Sequence, residues 1–200
     1  MKLKDAKKDY FRKLAKEKGY KSRAAFKLIQ INKSYRLIKN NINILDIGSA
    51  PGGWLQVIVE NIFIKNNRGK IIGIDKKKID PIYGTTIIRG DIEDPDIISE
   101  IMKISTSKID LILSDISPNI SGFWEVDHAK QIELSKSVFE LTKKIIQKDG
   151  NVVFKVFQGD MLNDFIHELR KYFQKVIISK PKASRQTSSE VYLICIKWTK

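Results

Sequence analysis

One lysine of this sequence lies where an apolar side chain is expected. Lys155 interrupts the run VVFKVF, residues 152–157, whose other members suit a strand covered on both faces. A buried ammonium group without a partner is strongly destabilising, so this position needs an acidic neighbour. Asp115 ends the strand candidate IDLILSD, residues 109–115, and adjacent parallel strands carry such residues to one edge of the sheet. Asp115 is therefore a candidate partner for the ammonium group of Lys155.

Three more aspartates lie at the ends of strand candidates. Asp46 and Asp75 fall at the ends of INILDI and KIIGID, and Asp91 follows the third strand in RGDI. An acidic side chain at the end of the second strand commonly binds the hydroxyl groups of a ribose. Each aspartate alone is also a common cap or turn residue. Gathered at one edge, they repel phosphate and favour S-adenosylmethionine, a sulfonium with an ammonium group and a ribose diol, over NAD.

A glycine-rich turn follows the first strand. The run ILDIGSAPGGW, residues 44–54, indicates a strand, a turn with Gly48, Gly52 and Gly53, and the start of a helix. Glycines allow a ligand to approach the backbone, and a helix N-terminus offers free N–H donors. The spacing matches neither the G-x-G-x-x-G of a dinucleotide site nor the G-K-[ST] of a P-loop. The turn is weak evidence for a ligand by itself, and it disfavours a dehydrogenase.

The elements that position these residues alternate along the chain. Strand and helix patterns in turn predict an α/β fold with a mostly parallel sheet covered on both faces. The last two strands have no helix between them, so we expect an antiparallel pair at one edge. Ser22 is expected to cap the second helix. The predicted strands cover 42–47, 70–75, 85–88, 109–115, 151–157, 174–180 and 190–197, and the predicted helices cover 6–18, 22–38, 53–65, 95–103, 128–148 and 160–172.

The charge of the chain indicates an anionic partner. Its 200 residues carry a net charge of +14, and residues 1–27 hold eleven Lys or Arg residues against three acidic ones. Concentrated positive charge favours a nucleic acid, with an anionic membrane surface as the alternative. The longest apolar runs have the length of strands, so no membrane span is expected. Cys195 is the only cysteine, which fits a reducing intracellular compartment; cytoplasm, nucleus, nucleolus and mitochondrion all remain open.

Taken in order, the motifs resemble those of the FtsJ-type (RrmJ-type) RNA 2′-O-ribose methyltransferases. The resemblance runs from about Tyr20 to Trp198 and implies a Rossmann-like, seven-stranded methyltransferase fold that binds S-adenosylmethionine. We therefore expect residues 1–21 to form a basic RNA-binding extension and residues 22–200 to form the methyltransferase domain. The matching motifs are YKSRAAFKL (20–28), LDIGSAPGGWLQV (45–57), GID (73–75), RGDI (89–92), LSDISPNISG (113–122), VFKVFQG (153–159) and KASRQTSSEVYL (182–193).

The same resemblance implies a catalytic set of two lysines, an aspartate and a glutamate. It places them at Lys27, Asp115, Lys155 and Glu190. Without the resemblance, Lys27 would be interpreted as an exposed residue at the edge of a helix stripe, and Glu190 as an exposed acid on an edge strand. No metal site is expected. Implied contacts with S-adenosylmethionine fall on Gly52, Gly53, Trp54, Asp75, Asp91 and Asp115.

Details within the motifs favour one substrate. KVFQG, SDISPNISG and ASRQTSSEVY are more similar to enzymes that modify large-subunit ribosomal RNA, with uridine as the expected nucleotide, than to tRNA enzymes. The alternatives are a tRNA methyltransferase and a non-catalytic RNA-binding assembly factor, and the intact catalytic set argues against the latter. The expected partner is ribosomal RNA or the large ribosomal subunit, and the expected state is a monomer. Trp124 follows Gly122 in a predicted loop, where it could stack on a nucleobase, form a lid or pack in the core.

Overall fold

Strands and helices alternate along the chain, as the sequence predicts. The computed structural model describes residues 3–62, 67–185 and 187–200. Residues 1–2 of the predicted extension and residues 63–65 of the predicted third helix lie outside these ranges. The elements are α1 (Leu3–Glu17), α2 (Ala25–Tyr35), β1 (Ile44–Ile47), α3 (Gly53–Asn61), β2 (Ile71–Asp75), β3 (Thr86–Arg89), α4 (Ile97–Ser105), β4 (Ile109–Ser114), α5 (Trp124–Ile145), β5 (Ile146–Phe157), α6 (Leu162–Leu169), β6 (Phe173–Ser179) and β7 (Glu190–Trp198).

Seven strands form one sheet in the order β3-β2-β1-β4-β5-β7-β6. The first five of this order are parallel, and β7 runs antiparallel to both β5 and β6. This confirms the predicted mostly parallel sheet with an antiparallel pair at one edge. The edge strand of that pair is β6, and β7 is inserted between β6 and β5. Glu190, expected on an edge strand, therefore lies on an interior strand, opposite Phe157.

The start of α2 differs from the prediction. The helix begins at Ala25 and has no side-chain cap, so Ser22 does not serve as the predicted cap. Leu28 and Ile31 of this helix are buried against the sheet. The polar side chain of Lys27 is buried on the same helix, and that position matters for the site described below.

The limits of α5 also differ from the prediction. The chain is extended at Phe123 and becomes helical directly after it, so the helix begins at Trp124. It ends at Ile145 because Ile146 already pairs with Ile109 at the start of β4. Trp124 is thus the first residue of a helix and not part of a loop.

Apolar side chains fill both faces of the sheet. Side chains of α4, α5 and α6 cover one face, and those of α2 and α3 cover the other. α1 packs on α2, since the rings of Phe11 and Phe26 lie 5.5 Å apart and Ala15 is buried. Across the described ranges, no helix combines the length and the apolar character that a membrane crossing requires. The two layers leave the C-terminal ends of β1, β2 and β4 together at one edge.

Candidate active site

Lys155 is almost fully buried on β5, as its position in an apolar run predicts. Its Nζ atom lies 3.3 Å from Oδ1 of Asp115 and donates a hydrogen bond to the backbone oxygen of the same residue. The side chain of Lys155 is 7% exposed, and an unpaired ammonium group at that depth would cost on the order of several kcal/mol. Asp115 provides the pairing because it directly follows β4, the parallel neighbour of β5.

A second pair of a lysine and a carboxylate lies beside the first. The Nζ atom of Lys27, on α2, lies 2.7 Å from Oε1 of Glu190, the first residue of β7. Both side chains are largely buried, so the interpretation of Lys27 as an exposed residue is wrong. Ser184 fixes the carboxylate further, since its hydroxyl group lies 3.0 Å from the same Oε1. The structure thus brings all four residues of the predicted catalytic set together.

Tyr192 joins the two pairs, and sequence reasoning missed it. Its hydroxyl oxygen lies 2.8 Å from Oδ1 of Asp115 and 3.3 Å from Oε1 of Glu190. A phenol has one proton to donate, so the shorter contact, with Asp115, is the stronger hydrogen bond. Burial and then the two carboxylates raise the pKa of Tyr192 well above its ordinary value, which keeps the hydroxyl a donor. We call Lys27, Asp115, Lys155, Glu190 and Tyr192 the lysine–carboxylate cluster.

A cavity of about 470 Å³ adjoins this cluster and shares Asp115 with it. Its volume falls in the range of small-molecule sites. The C-terminal ends of β1, β2 and β4 contribute to its wall, which is where open α/β sheets bind their ligands. Five acidic residues and three lysines line the wall, so the cavity has a net negative charge and suits a cationic ligand. The acidic residues are Asp75, Asp91, Glu93, Asp115 and Glu133.

Two predicted cofactor residues besides Asp115 line this cavity. Asp75 ends β2, and its carboxylate accepts hydrogen bonds from the backbone N–H groups of Ala50 (2.9 Å) and Lys77 (2.8 Å). These bonds fix the carboxylate and leave lone pairs for the hydroxyl groups of a ligand. Asp91 pairs with Lys76 over 2.6 Å. Burial acts to raise the pKa of Asp91, but the bond with Lys76 and the backbone donors outweigh it, and the net shift is downward.

Asp46, expected at the same edge, is not part of the cavity wall. It lies within β1, opposite Gly73 of β2, and none of its surface is exposed. Neither of its carboxylate oxygens has a hydrogen-bond partner among the described residues. Burial, followed by the carboxylates of Asp115 and Asp75, raises the pKa of Asp46 well above its ordinary value, which favours the protonated form.

Gly52, Gly53 and Trp54, three predicted cofactor contacts, are not part of the cavity wall either. Gly52 has a φ of +110°, which glycine adopts without strain. A Cβ atom at Gly53 would lie 2.4 Å from the hydroxyl oxygen of Ser22, so the segment before α2 packs directly on the start of α3. The indole N–H of Trp54 donates to the backbone oxygen of Ala24 over 2.9 Å. These residues position α2 relative to α3, and their contact with a cofactor stays a prediction.

The cluster and the cavity together suit group transfer to an oxygen nucleophile. Because Asp115 belongs to both, a group bound in the cavity lies close to Lys155. The two ammonium groups can orient a hydroxyl group, stabilise negative charge that develops on its oxygen, or accept its proton when neutral. Positioning two reactants in this way contributes roughly 7–11 kcal/mol to a reaction barrier. Fold and site define an α/β enzyme that catalyses group transfer.

Comparison with known proteins identifies the family. The family model for FtsJ-like methyltransferases matches residues 20–198, so the chain belongs to the FtsJ-like methyltransferase family. The protein is a methyltransferase, an enzyme that uses a methyl donor. The matched region includes the whole lysine–carboxylate cluster and every residue of the cavity wall, and it begins after α1.

Relatives align with almost the whole chain. A protein of Nitrosopumilus maritimus named ribosomal RNA large subunit methyltransferase E is 44% identical, and the alignment covers 98% of each chain. Relatives of the same name from Methanosarcina mazei and Methanocaldococcus jannaschii are 47% and 43% identical. Those alignments cover 93% and 96% of this chain and 68% and 80% of the relatives. A Plasmodium falciparum crystal structure, described as a ribosomal RNA methyltransferase, superposes with a TM-score of 0.81 at 37% identity, covering 90% of this chain and 98% of that one.

Proposed function

We propose that this protein transfers a methyl group from S-adenosylmethionine to the 2′-hydroxyl group of a ribose in large-subunit ribosomal RNA, with uridine as the expected nucleotide. The observation that carries the proposal is the junction at Asp115, where a net-negative cavity meets two buried lysines. The names of the relatives support the class of RNA. A ribosomal RNA substrate also implies an intracellular site of action, in the compartment where large subunits are assembled.

The residues of the cavity fit S-adenosylmethionine. Asp75 is fixed at the end of β2, where an acidic side chain binds ribose hydroxyl groups. Asp91 and Asp115 add negative charge to the wall, which favours a ligand with a sulfonium and an ammonium group. When bound, S-adenosylmethionine supplies a methyl group activated by its positively charged sulfur.

The lysine–carboxylate cluster would prepare the accepting hydroxyl group. Of the two lysines of the cluster, Lys155 is the one that contacts Asp115, a residue of the cavity wall. It would accept the proton of the 2′-hydroxyl group if neutral, or stabilise the developing negative charge of the oxygen if charged. Lys27, held by Glu190, would orient the ribose. Asp115 and Glu190 offset the cost of burying the two ammonium groups.

Lys155→Ala tests the assigned chemistry. We expect methyl transfer to fall by about a hundredfold or more, the range that a positioned base contributes. Binding of S-adenosylmethionine, measured by calorimetry, should persist because Lys155 is not part of the cavity wall. Lys171→Ala removes an exposed lysine after α6 and should leave both properties unchanged. Equal loss of transfer and of binding in Lys155→Ala would contradict the assigned role.

Ribose methylation mapped in cells depleted of the protein tests the substrate. We expect loss of one 2′-O-methyl group in large-subunit ribosomal RNA, restored by the wild-type protein and not by Lys155→Ala. Loss from a tRNA instead would favour the tRNA alternative. An assembly defect that Lys155→Ala repairs would favour a non-catalytic assembly factor.

We also propose that the protein acts as a monomer on this RNA. All five residues of the lysine–carboxylate cluster come from one chain, so the site needs no second copy. Light scattering after size-exclusion chromatography should give a mass close to 23.0 kDa, and a mass of twice that value would contradict the monomer.

A further inference from the structure

A group of exposed apolar side chains lies at the start of α5. Eight large apolar side chains are exposed among the described residues, and five of them belong to this group. Single exposed apolar residues are common, but a group of them indicates a contact surface. We call these five residues the α5 apolar patch: Ile120, Phe123, Trp124, Val126 and Met161.

The ring of Trp124 is fixed in place although 44% of the residue is exposed. It stacks on His128, with ring centroids 5.8 Å apart and planes at 22°, and on Phe157, at 6.1 Å and 30°. His128 is buried and is held in turn, because its Nε2 accepts a hydrogen bond from the backbone N–H of Met161 over 3.2 Å. Two rings therefore support the indole, and the residue keeps a large exposed surface.

The loop before Trp124 is fixed as well. The carboxylate of Asp127 lies 2.7 Å from the backbone N and from the hydroxyl oxygen of Ser121, and 3.1 Å from the backbone N of Gly122. These hydrogen bonds lower the pKa of Asp127, so the carboxylate stays charged and continues to accept them. Residues 116–119 of the same loop line the cavity. One ordered loop thus connects the cavity wall with the α5 apolar patch.

The α5 apolar patch adjoins the lysine–carboxylate cluster. Phe157, which supports Trp124, lies opposite Glu190 in the pairing of β5 with β7. The loop between β6 and β7 reaches the same place, since the backbone N–H of Gln158 donates to the oxygen of Ser189 over 2.9 Å. An exposed aromatic ring and a loop that carries exposed cations therefore both lie beside the cluster. The cations of that loop are Lys180, Lys182 and Arg185.

We propose that the exposed surface of Trp124 stacks on an unpaired nucleobase of the RNA substrate, at or next to the nucleotide whose ribose enters the lysine–carboxylate cluster. This inference rests on the proposed function, because it requires RNA at the cluster. Aromatic side chains bind the bases of single strands by stacking, whereas lysine and arginine bind phosphates. A supported ring beside exposed cations provides both kinds of contact. Stacking there would keep the base unpaired and its ribose accessible.

Intrinsic fluorescence tests the stacking directly. Trp54 and Trp198 are buried, so the fluorescence of Trp124 is the part that a bound base can reach. A short oligouridylate should quench it, and an oligomer of the same length and charge without bases should not. Trp124→Phe should abolish the change in signal. Equal quenching by the two oligomers, or none by oligouridylate, would overturn the proposal.

Affinity gives an independent readout. Trp124→Ala should weaken binding of the oligouridylate by about tenfold, and Trp124→Phe by less than about threefold, because a phenyl ring still stacks. The salt dependence of binding should stay unchanged in both variants, since no phosphate contact is lost. Ile178→Ala, at another exposed apolar residue, is the matched control. Unchanged binding of S-adenosylmethionine would show that the variants are folded.

The outcomes separate this inference from the proposed function. If Trp124→Ala binds and methylates RNA like the wild-type protein, the stacking is overturned and methyl transfer to RNA stands. If the wild-type protein methylates no RNA, the proposed function falls and the inference falls with it. Weaker binding of Trp124→Ala to assembled large subunits, with unchanged binding to oligouridylate, would assign the α5 apolar patch to a protein partner and would also overturn the stacking.

Discussion

At the scale of single residues, Tyr192 determines the geometry of the lysine–carboxylate cluster. Asp115 directly follows β4 and Glu190 begins β7, and two carboxylates repel each other where water is scarce. The hydroxyl group of Tyr192 lies between them, 2.8 Å from one and 3.3 Å from the other. Its ring also packs against Trp54, with centroids 5.9 Å apart, so the phenol cannot move freely. Each lysine consequently has one defined carboxylate.

Tyr192→Phe is expected to slow methyl transfer by about ten- to a hundredfold. A hydrogen bond to a charged group contributes about 1.5–3 kcal/mol, and its loss frees the carboxylate of Asp115 to move. The ring and its packing remain, so the folded state should persist, as circular dichroism can verify. Tyr172→Phe, at a ring stacked on Trp198 away from the cluster, is the control. A rate equal to that of the wild type would show that Tyr192 does not position Asp115.

The residues of the lysine–carboxylate cluster are not equally predictable from the sequence. Lys155 is recognisable because a charge within an apolar strand requires a partner, whereas the choice of Asp115 among the aspartates near strand ends follows from the family resemblance. Lys27 and Glu190 followed from the family resemblance alone, since each by itself suggests an exposed residue. Tyr192 carries no charge and suits a strand, so only its spacing from Glu190, two positions along one face, could have indicated it.

At the scale of elements, α1 extends the basic surface beyond the region that matches the family. Arg12, Lys13 and Lys16 are exposed on this helix. The helix is anchored where Phe11 meets Phe26 of α2, directly before Lys27. Positive charge therefore continues along the chain from α1 to the lysine–carboxylate cluster, and the role of residues 1–21 in binding RNA stays a prediction.

Charge reversal at Arg12, Lys13 and Lys16 should weaken binding of RNA and flatten its dependence on salt. Each lost phosphate contact lowers the slope of log affinity against log salt by about 0.7 for single strands, so the three together lower it by about 2. The same reversal at Lys171, Lys175 and Lys197, exposed residues elsewhere on the chain, is the control. An unchanged slope would reduce the α1 charges to a role in solubility.

The boundaries of elements were less predictable than their order. The sequence after Ile145 suits a continuation of the helix. Ile146 nevertheless belongs to β5, because it pairs with Ile109 of β4. At the other end of α5, Asp127 suits the first turn of a helix, and its bonds to Ser121 are contacts that local propensity does not encode. Each difference arises from a contact outside the segment itself.

At the scale of the whole molecule, Asp46 links stability to pH. Its pKa is raised in the folded protein, whereas the unfolded chain titrates near about 3.9. Between these two values the folded protein binds one more proton than the unfolded chain, so stability decreases as pH rises. The contribution of Asp46 is complete below about pH 4 and is lost as pH rises through the raised pKa.

Asp46→Asn should therefore make the melting temperature less sensitive to pH. Asparagine resembles the protonated carboxyl group and does not titrate, so the decline on raising pH from about 5 to about 8 should become smaller. Asp164→Asn, at an exposed residue of α6, should leave the decline unchanged. Parallel curves of melting temperature against pH for the wild type and Asp46→Asn would contradict the titration of Asp46.

The class of the fold was predictable because alternation of strands and helices restricts a chain to few arrangements. The position of β7 was not predictable from alternation alone, because its pairing with β5 joins distant segments, such as Val191 and Val156. The residues that line the cavity also depend on where each strand ends, which alternation alone does not determine. Asp75 at the end of β2 reaches it, as do Asp91 and Asp115, which follow strands, whereas Asp46, one residue before the end of β1, is enclosed.

The insertion of β7 between β5 and β6 also sets an order of events during translation. Synthesis proceeds from the N-terminus, so residues 47–134, which include the whole cavity wall, exist before Glu190 and Tyr192 have been made. Until β7 arrives, β5 has an unpaired side that can join the strands of another chain. A nascent polypeptide that still lacks β7 already contains Lys27, Asp115 and Lys155 but neither Glu190 nor Tyr192, so the lysine–carboxylate cluster becomes complete only when β7 has been made.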